Sequence, residues 1–513
     1  MCVRSKSRAM TDRGDESRVH SLVSIARGAS LYTVGKIVSD AGEFLVHLLV
    51  SRWLGAGLYG LFAYGKTIAF TALLLTNLGS DTSILKYLPQ YEDEHQKRRF
   101  LLGLAWLTSF LGALTVSTVL FVFAPTVAAL TLDEAGFVAV LRLFAVILFL
   151  DTLANLLYAT FRAVELIEYE VFADRLVKPV LRIVAVGGAL LVGASVYGLV
   201  AAMVAASMVT LVVAGFLFLT RLDVRPTLRG PHATRETVRE YYNYSLPLTA
   251  KEAGTVMQGR IDVLIVGVFL SSTAVGIYNV SVLVSSLLYI PLLAFNQLFP
   301  PVAARLYTND ERADLAAIYG ATTRWIFTIS LLLGILAIVF RVEILTLFGP
   351  EFTAGTLVLT LFVIGQLFNC ATGPSGYLLM MTDHQYVVMA NEWVFGIANV
   401  VLNVVLIQQF GFVGAAVASA GVLAVRNLTK VAEVWYFERL HPYSRSFFKP
   451  LLAGAVAAPG MGFVGWLLPP LPAIVVGAVV GIALYAAVLL SFGIEPVDRR
   501  AYQEVAGAPG SPD

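Results

Sequence analysis

The chain has 513 residues, 58% of them hydrophobic and 14% charged, with a formal net charge of +2 and a mean hydropathy of +0.78. Soluble domains carry about 25% charged residues, so this composition excludes an ordinary soluble protein and points to a polytopic membrane protein. The near-neutral charge gives no sign of a nucleic-acid partner, and two cysteines, Cys2 and Cys370, give no disulfide framework.

Residues 1–30 are polar and basic and lack the apolar core of a signal peptide. They read as a cytoplasmic N-terminal segment, within which Met10 is a second candidate start. Fourteen candidate membrane spans follow, at 32–52, 58–79, 100–123, 137–159, 172–192, 196–219, 246–270, 274–299, 322–340, 354–379, 386–407, 412–435, 449–468 and 472–492. Each approaches the roughly 20 residues that cross a bilayer.

The first span carries Lys36, Asp40, Glu43 and His47. At about 100° per residue these four share one face. A charge at the bilayer centre costs about 2.5 kcal/mol or more, so that face needs a wet cavity or charged partners. Two readings stand for Asp40 and Glu43: pairing with Lys36 and Lys66, or taking up the protons or cations that drive a transport cycle. For His47 they are a relay or a hydrogen-bonded packing residue. Residues Gly60 to Thr67 match the G-x-x-x-x-G-K-[ST] phosphate loop. That motif works between a buried strand and a helix; here it enters an apolar span, and what remains of interest is Lys66 as an intramembrane cation.

In the fourth span Asp151 and Asn155 lie one turn apart, and Arg142 near the outer end reads as snorkelling. The fifth span carries Arg175, Lys178 and Arg182 on one face, with Asp174 four residues before Lys178 and Pro179 as a candidate kink. Arg175 is placed to snorkel to the headgroups, whereas Arg182 lies deeper and reads as cavity-facing. Such cations suit a phosphate or pyrophosphate. The seventh span repeats the pattern with Lys251, Thr255, Gln258 and Asp262 on one face and Arg260 on the opposite one, where a carboxylate on a neighbouring helix is the plainer partner. Pro291 in the eighth span and Thr372 to Gly376 (TGPSG) in the tenth are helix breaks of the kind that mark hinges or cavity-lining backbone. No metal-ligand spacing or dinucleotide fingerprint is present, so no cofactor is expected beyond Na+ or H+ coupling.

With the N-terminus in the cytoplasm, 23 Lys and Arg residues fall in cytoplasmic segments and two, Arg52 and Arg341, fall outside. The positive-inside rule therefore places both termini in the cytoplasm, as in a multi-pass protein of the cell membrane. A shift of 216 residues aligns Leu54 with Leu270, Gly60 with Gly276, Tyr91 with Tyr307, Gly198 with Gly414 and Ala202 with Ala418. The expected fold is all-α: two six-helix lobes as a parallel repeat, plus two extra C-terminal helices. The expected divisions are a lobe over 31–219, a basic cytoplasmic linker over 220–245, a lobe over 246–435, the last two spans within 436–492 and a disordered cytoplasmic tail over 493–513.

Two stretches resemble a known family. Ser51-Arg-Trp-Leu-Gly-Ala-Gly-Leu-Tyr-Gly60 is similar to the end of the first span in oligosaccharide flippases. Asn399-Val-Val-Leu-Asn403, followed by Gly411, Gly414, Ala415 and Ala416, is similar to their eleventh-to-twelfth hairpin. That family is the polysaccharide transport branch of the multidrug/oligosaccharidyl-lipid/polysaccharide exporter superfamily. The resemblance implies two lobes in a V around a central cavity, and a polyprenyl-linked oligosaccharide flipped from the cytoplasmic to the outer leaflet. Lys36, Lys66, Arg175, Lys178, Arg182, Lys251 and Arg260 are then candidates for the substrate's phosphates, and Asp40, Glu43 and Asp262 for coupling. No catalytic residue is assigned, and glycan-assembly enzymes are the implied protein partners. The alternatives are a cation-coupled drug exporter of the same superfamily, which favours acidic and aromatic cavity faces, and a membrane glycan polymerase or ligase, which needs a larger outer loop than the dozen or so residues at 124–136 or 341–353.

Overall fold

The computed structural model describes residues 3–134, 136–493 and 495, with the side chains of 3–34, 250, 251 and 255–258 outside that description. The disordered tail expected over 493–513 therefore lies largely outside the described residues. Among the described residues there are helices and no strand. In chain order they are α1 (Val3–Asn77), α2 (Ser80–Gln90), α3 (His95–Val122), α4 (Ala124–Leu130), α5 (Phe137–Ala163), α6 (Ile167–Glu170), α7 (Lys178–Leu191), α8 (Val196–Arg221) and α9 (Arg235–Phe269). There follow α10 (Ser272–Ser286), α11 (Ile290–Thr308), α12 (Arg312–Val339), α13 (Arg341–Phe348), α14 (Thr356–Ala371), α15 (Ser375–Met381), α16 (Gln385–Glu438), α17 (Lys449–Leu467) and α18 (Pro470–Ser491).

Ten helical stretches are long and apolar enough to cross a membrane. Two of them hold two sequence spans apiece. In α1 the first and second spans meet at Gly55, whose φ of 74° and ψ of 174° break the helix without a chain stop. In α16 the eleventh and twelfth meet at Gly411, with φ 59° and ψ −146°. Both are conformations that glycine alone adopts cheaply. The fifth and seventh spans fall outside the ten. The seventh, within α9, is too polar, and the fifth is split between α7 and a seven-residue π-helical segment, Val171–Val177. The expected kink at Pro179 takes this form: the Lys178 N–H reaches back to the Ala173 carbonyl. That wider turn draws the backbone away from the proline ring, which would clash with the carbonyl four residues earlier. The breaks expected at Pro291 and at Thr372 to Gly376 are also present, as a 3₁₀ turn over Leu287–Tyr289 and as the gap between α14 and α15.

The chain divides into two compact units, one of Met1–Leu54 with Gly65–Ala253, the other of Gly55–Tyr64 with Gly254–Asp513. In the first, α2, α3, α5 and α8 enclose Ile84, Leu88, Leu102, Leu157, Phe161 and Phe218. In the second, one core gathers Phe299, Leu315, Tyr319, Leu378 and Val434, and another packs α17 and α18 on α12 through Phe340, Ala457, Met461 and Tyr485. Residues Gly55–Tyr64 sit in the second unit through polar ties. The Ala56 N–H donates to Glu351 Oε2 at 2.8 Å, Asn279 donates to the Tyr59 hydroxyl at 2.7 Å, and the Tyr64 hydroxyl donates to the Leu264 carbonyl at 3.1 Å. Large apolar side chains left exposed, such as Val212, Phe216 and Leu219 on α8 and Val475, Val479 and Ile482 on α18, form the surface that lipid covers.

Candidate functional site

The charges of the first, second, fourth and fifth spans meet within the first unit. The first span approaches the fifth at two glycines seven residues apart. A Cβ on Gly35 would stand 2.9 Å from Val171 Cγ1 and 3.0 Å from Arg175 Cβ, and one on Gly42 would stand 2.9 Å from Pro179 Cβ. This backbone-close contact brings Glu43 to Arg182. Arg182 then bridges two carboxylates, with Nη2 2.8 Å from Asp151 Oδ2 and Nη1 3.5 Å from Glu43 Oε2. Glu43 also pairs with Lys66. Lys66 Nζ lies 2.9 Å from His47 Nε2. The same Nε2 lies 3.4 Å from Glu43 Oε1, so His47 joins the Glu43–Lys66 pair.

On the other side of Arg182, Lys178 lies 3.9 Å from Asp151 and 3.4 Å from Asp174, Arg175 lies 3.2 Å from Asp174, and the Ser207 hydroxyl donates to Asp151 Oδ1 at 3.1 Å. The named groups hold four cations, Lys66, Arg175, Lys178 and Arg182, against three carboxylates, Glu43, Asp151 and Asp174. A phosphate entering the network would exchange places with a carboxylate on Arg182, Lys178 or Lys66, keeping every cation paired.

The remaining candidates sit elsewhere. Lys36 pairs with Asp40 at 3.0 Å, with Asp40 half-exposed. The side chain of Lys251 lies outside the described residues. Arg260 is exposed, while Asp262, two residues on, is 5% exposed. Among the described residues neither has an ion pair within 4 Å. Asp262 accepts from the Tyr278 hydroxyl and from the Val263 N–H, both at 2.8 Å. Ser419 lies beside the same pair and donates to Asn399 Oδ1 at 3.2 Å, while Asn403 donates to Asn399 Oδ1 at 2.9 Å and to Ser419 at 3.1 Å. The two asparagines of the hairpin motif thus face Asp262 across one buried polar cluster. Arg142 bonds the Phe121 carbonyl and sits over that ring, consistent with its place near a helix end.

Sequence reasoning left Asp151 without a role, although it is the anion on which Arg182 and Lys178 converge. It also passed over a second charged group on α16, where Glu392 meets Lys430 at 2.9 Å and Arg426 at 3.4 Å, and Asn391 donates to Glu433 at 2.7 Å. The available signal was four charges inside the eleventh and twelfth spans, Glu392, Arg426, Lys430 and Glu433. Among the described residues no group of three His, Cys, Asp or Glu side chains is placed to hold a metal.

Over residues 25–305, more than half of the chain, the sequence matches the polysaccharide biosynthesis protein family. The chain belongs to this family. Residues 247–406 also match the MatE family. Two relatives from Haloferax volcanii are similar over part of their length. One, a probable low-salt glycan biosynthesis flippase, Agl15, is 29% identical over 197 residues, 38% of this chain and 41% of the relative. The other, a probable flippase, AglR, is 27% identical over 208 residues, 38% and 42% respectively. The chain thus spans about two fifths of the length of the curated relatives it matches. Among solved structures, the lipid II flippase MurJ in an inward closed conformation superposes with a TM-score of 0.68 at 13% identity, over 90% of this chain and 98% of that one. An inward-facing multidrug resistance MATE family transporter superposes with a TM-score of 0.64 at 14% identity, over 79% and 98%. These likenesses show the fold, and with the ten apolar helices they make the family member a multi-pass, all-α membrane protein.

Proposed function

We propose that the protein carries a polyprenyl-phosphate- or pyrophosphate-linked oligosaccharide from the cytoplasmic to the outer leaflet of the cell membrane by alternating access, as a step in assembly of a surface polysaccharide or glycoprotein. The observation that carries this reading is the network centred on Arg182: four cations gathered with three carboxylates inside spans where charge is costly. Membership of the polysaccharide biosynthesis protein family and the similarity to glycan flippases support it. Lys66, Arg175, Lys178 and Arg182 serve as phosphate ligands in this reading. Glu43, Asp151 and Asp174 hold them when substrate is absent. Asp262, buried and without an ion pair among the described residues, is the group best placed for Na+ or H+ coupling. Glu43 is committed to Lys66 and Arg182, and Asp40 to Lys36. The protein acts as a transporter without a catalytic step, and glycan-assembly enzymes supply and consume its cargo.

The test is lipid analysis of a strain lacking this protein, complemented with wild type or with Arg182→Glu. The expected result is finished lipid-linked oligosaccharide trapped on the cytoplasmic side, released by wild type and not by the variant, with both proteins present at equal level. Unchanged lipid-linked sugars with new drug sensitivity would point instead to an exporter. Unattached glycan on the outer side would point to a polymerase or ligase.

A further inference from the structure

The second unit carries a polar patch that the phosphate network leaves unexplained. It is built where α16 passes the break between α14 and α15. Glu392 holds Lys430 and Arg426, and Lys430, only 10% exposed, reaches along Gly376, where a Cβ would stand 3.6 Å from Nζ. Tyr289 lies beside Asn296 and within electrostatic range of both Tyr377 and Arg426. Two buried atoms of this patch have no hydrogen-bond partner among the described residues: the donor Nε of Arg426 and the acceptor Oδ1 of Asn296. Tyr377 is 38% exposed beside them, so the patch is open.

An orphaned donor and an orphaned acceptor on one surface define the chemistry of what completes it. A phosphate offers acceptors alone and would leave Asn296 Oδ1 unpaired, while Glu392 would repel it. A sugar carries several hydroxyls, each able to donate or to accept, and so can complete both atoms. Exposed tyrosine beside amide, carboxylate and guanidinium groups supplies the stacking face and the directional bonds that a sugar ring needs. We propose that this patch of the second unit is a glycan subsite, holding sugar hydroxyls through Asn296, Arg426 and the Glu392–Lys430 pair. The assignment rests on the flippase reading, because the sugar is the one carried by the transported lipid.

The experiment uses the full-length protein in lipid nanodiscs and two probes: polyprenyl phosphate bearing a neutral hexose, and bare polyprenyl phosphate. Wild type is expected to bind the glycosylated lipid about tenfold more tightly, the worth of one or two well-made hydrogen bonds. Asn296→Leu and Arg426→Met are expected to erase that difference while leaving the bare lipid's affinity unchanged, which also reports that the variants are folded. The milder Asn296→Ser serves if either does not fold. Equal binding of both probes by wild type, or variants that keep the tenfold preference or lose both affinities together, would overturn the subsite and leave the flippase reading standing. Wild type that binds neither lipid would remove the flippase reading itself, and the subsite with it.

Discussion

Glu170 shows how a single residue at the edge of the site can set its behaviour with pH. It lies in the turn between the fourth and fifth spans, just before the π-helical segment that holds Asp174 and Arg175. Its side chain is 1% exposed, 3.2 Å from Arg162 Nε. Burial raises its pKa from 4.5 to about 7, outweighing Arg162 and Arg175, which favour the charged form, with Asp174 adding to the rise. The native state therefore holds a proton that the unfolded chain releases, and stability falls as pH rises from 4.5 to about 7, then levels. Glu170→Gln, which keeps the neutral form at every pH, should raise the melting temperature of the purified protein at neutral pH and flatten its slope across that window. Melting curves of the two proteins at matched pH decide it; an unchanged slope would remove Glu170 as its source.

At the scale of elements, the site depends on how closely α1 lies on the fifth span. Gly42 stands against Pro179, so Gly42→Val forces the helices apart at the level of Glu43 and Arg182. Overpacking of this kind costs about 1–3 kcal/mol, and transport should drop with it. Gly187, on the same fifth span, has nothing within 4 Å of an added Cβ. Gly187→Ala should therefore be neutral or stabilise by up to about 1 kcal/mol, the usual gain of alanine over glycine in a helix. Thermal unfolding and flipping assays on the pair test the contact, and equal behaviour of the two variants would dismiss it. The glycine spacing of seven was visible in the sequence, but which glycine meets which helix was not. Lys66 lies on a different span from Glu43, and only folding brings them together.

For the whole molecule, the distribution of Lys and Arg, 23 in segments expected on one side against two on the other, predicts an orientation that labelling can test. In a background with Cys2 replaced by serine, where the remaining Cys370 is buried, Arg229→Cys should react with a membrane-impermeant maleimide only from the cytoplasmic side, and Arg341→Cys only from the outside. The reverse labelling would invert the topology and with it the direction of transport. The repeat of 216 residues extends to the spans but not to the charges. The positions that correspond to Glu43, Asp151 and Arg182 in the second half are Gly259, Leu367 and Ala398. The halves share a scaffold and carry different chemistry.

The sequence by itself determined the all-helical class, the membrane spans, their breaks at Pro291 and at Thr372 to Gly376, and the pool of intramembrane charges. These follow from hydropathy, proline geometry and the cost of charge in lipid, which are local properties of the chain. The resemblance at Ser51 to Gly60 and at Asn399 to Ala416 led to the family. Only the tertiary structure decided which charges are partners: Arg182 between Glu43 and Asp151, Lys66 on Glu43 and His47, Asp262 apart from them with Tyr278. It also decided that Gly55–Tyr64 belongs with the later half of the chain. Ion pairs between spans depend on helix depth and rotation. Those are set by packing between spans, as the contact of Gly42 with Pro179 sets Glu43 beside Arg182, and no spacing along one helix records them.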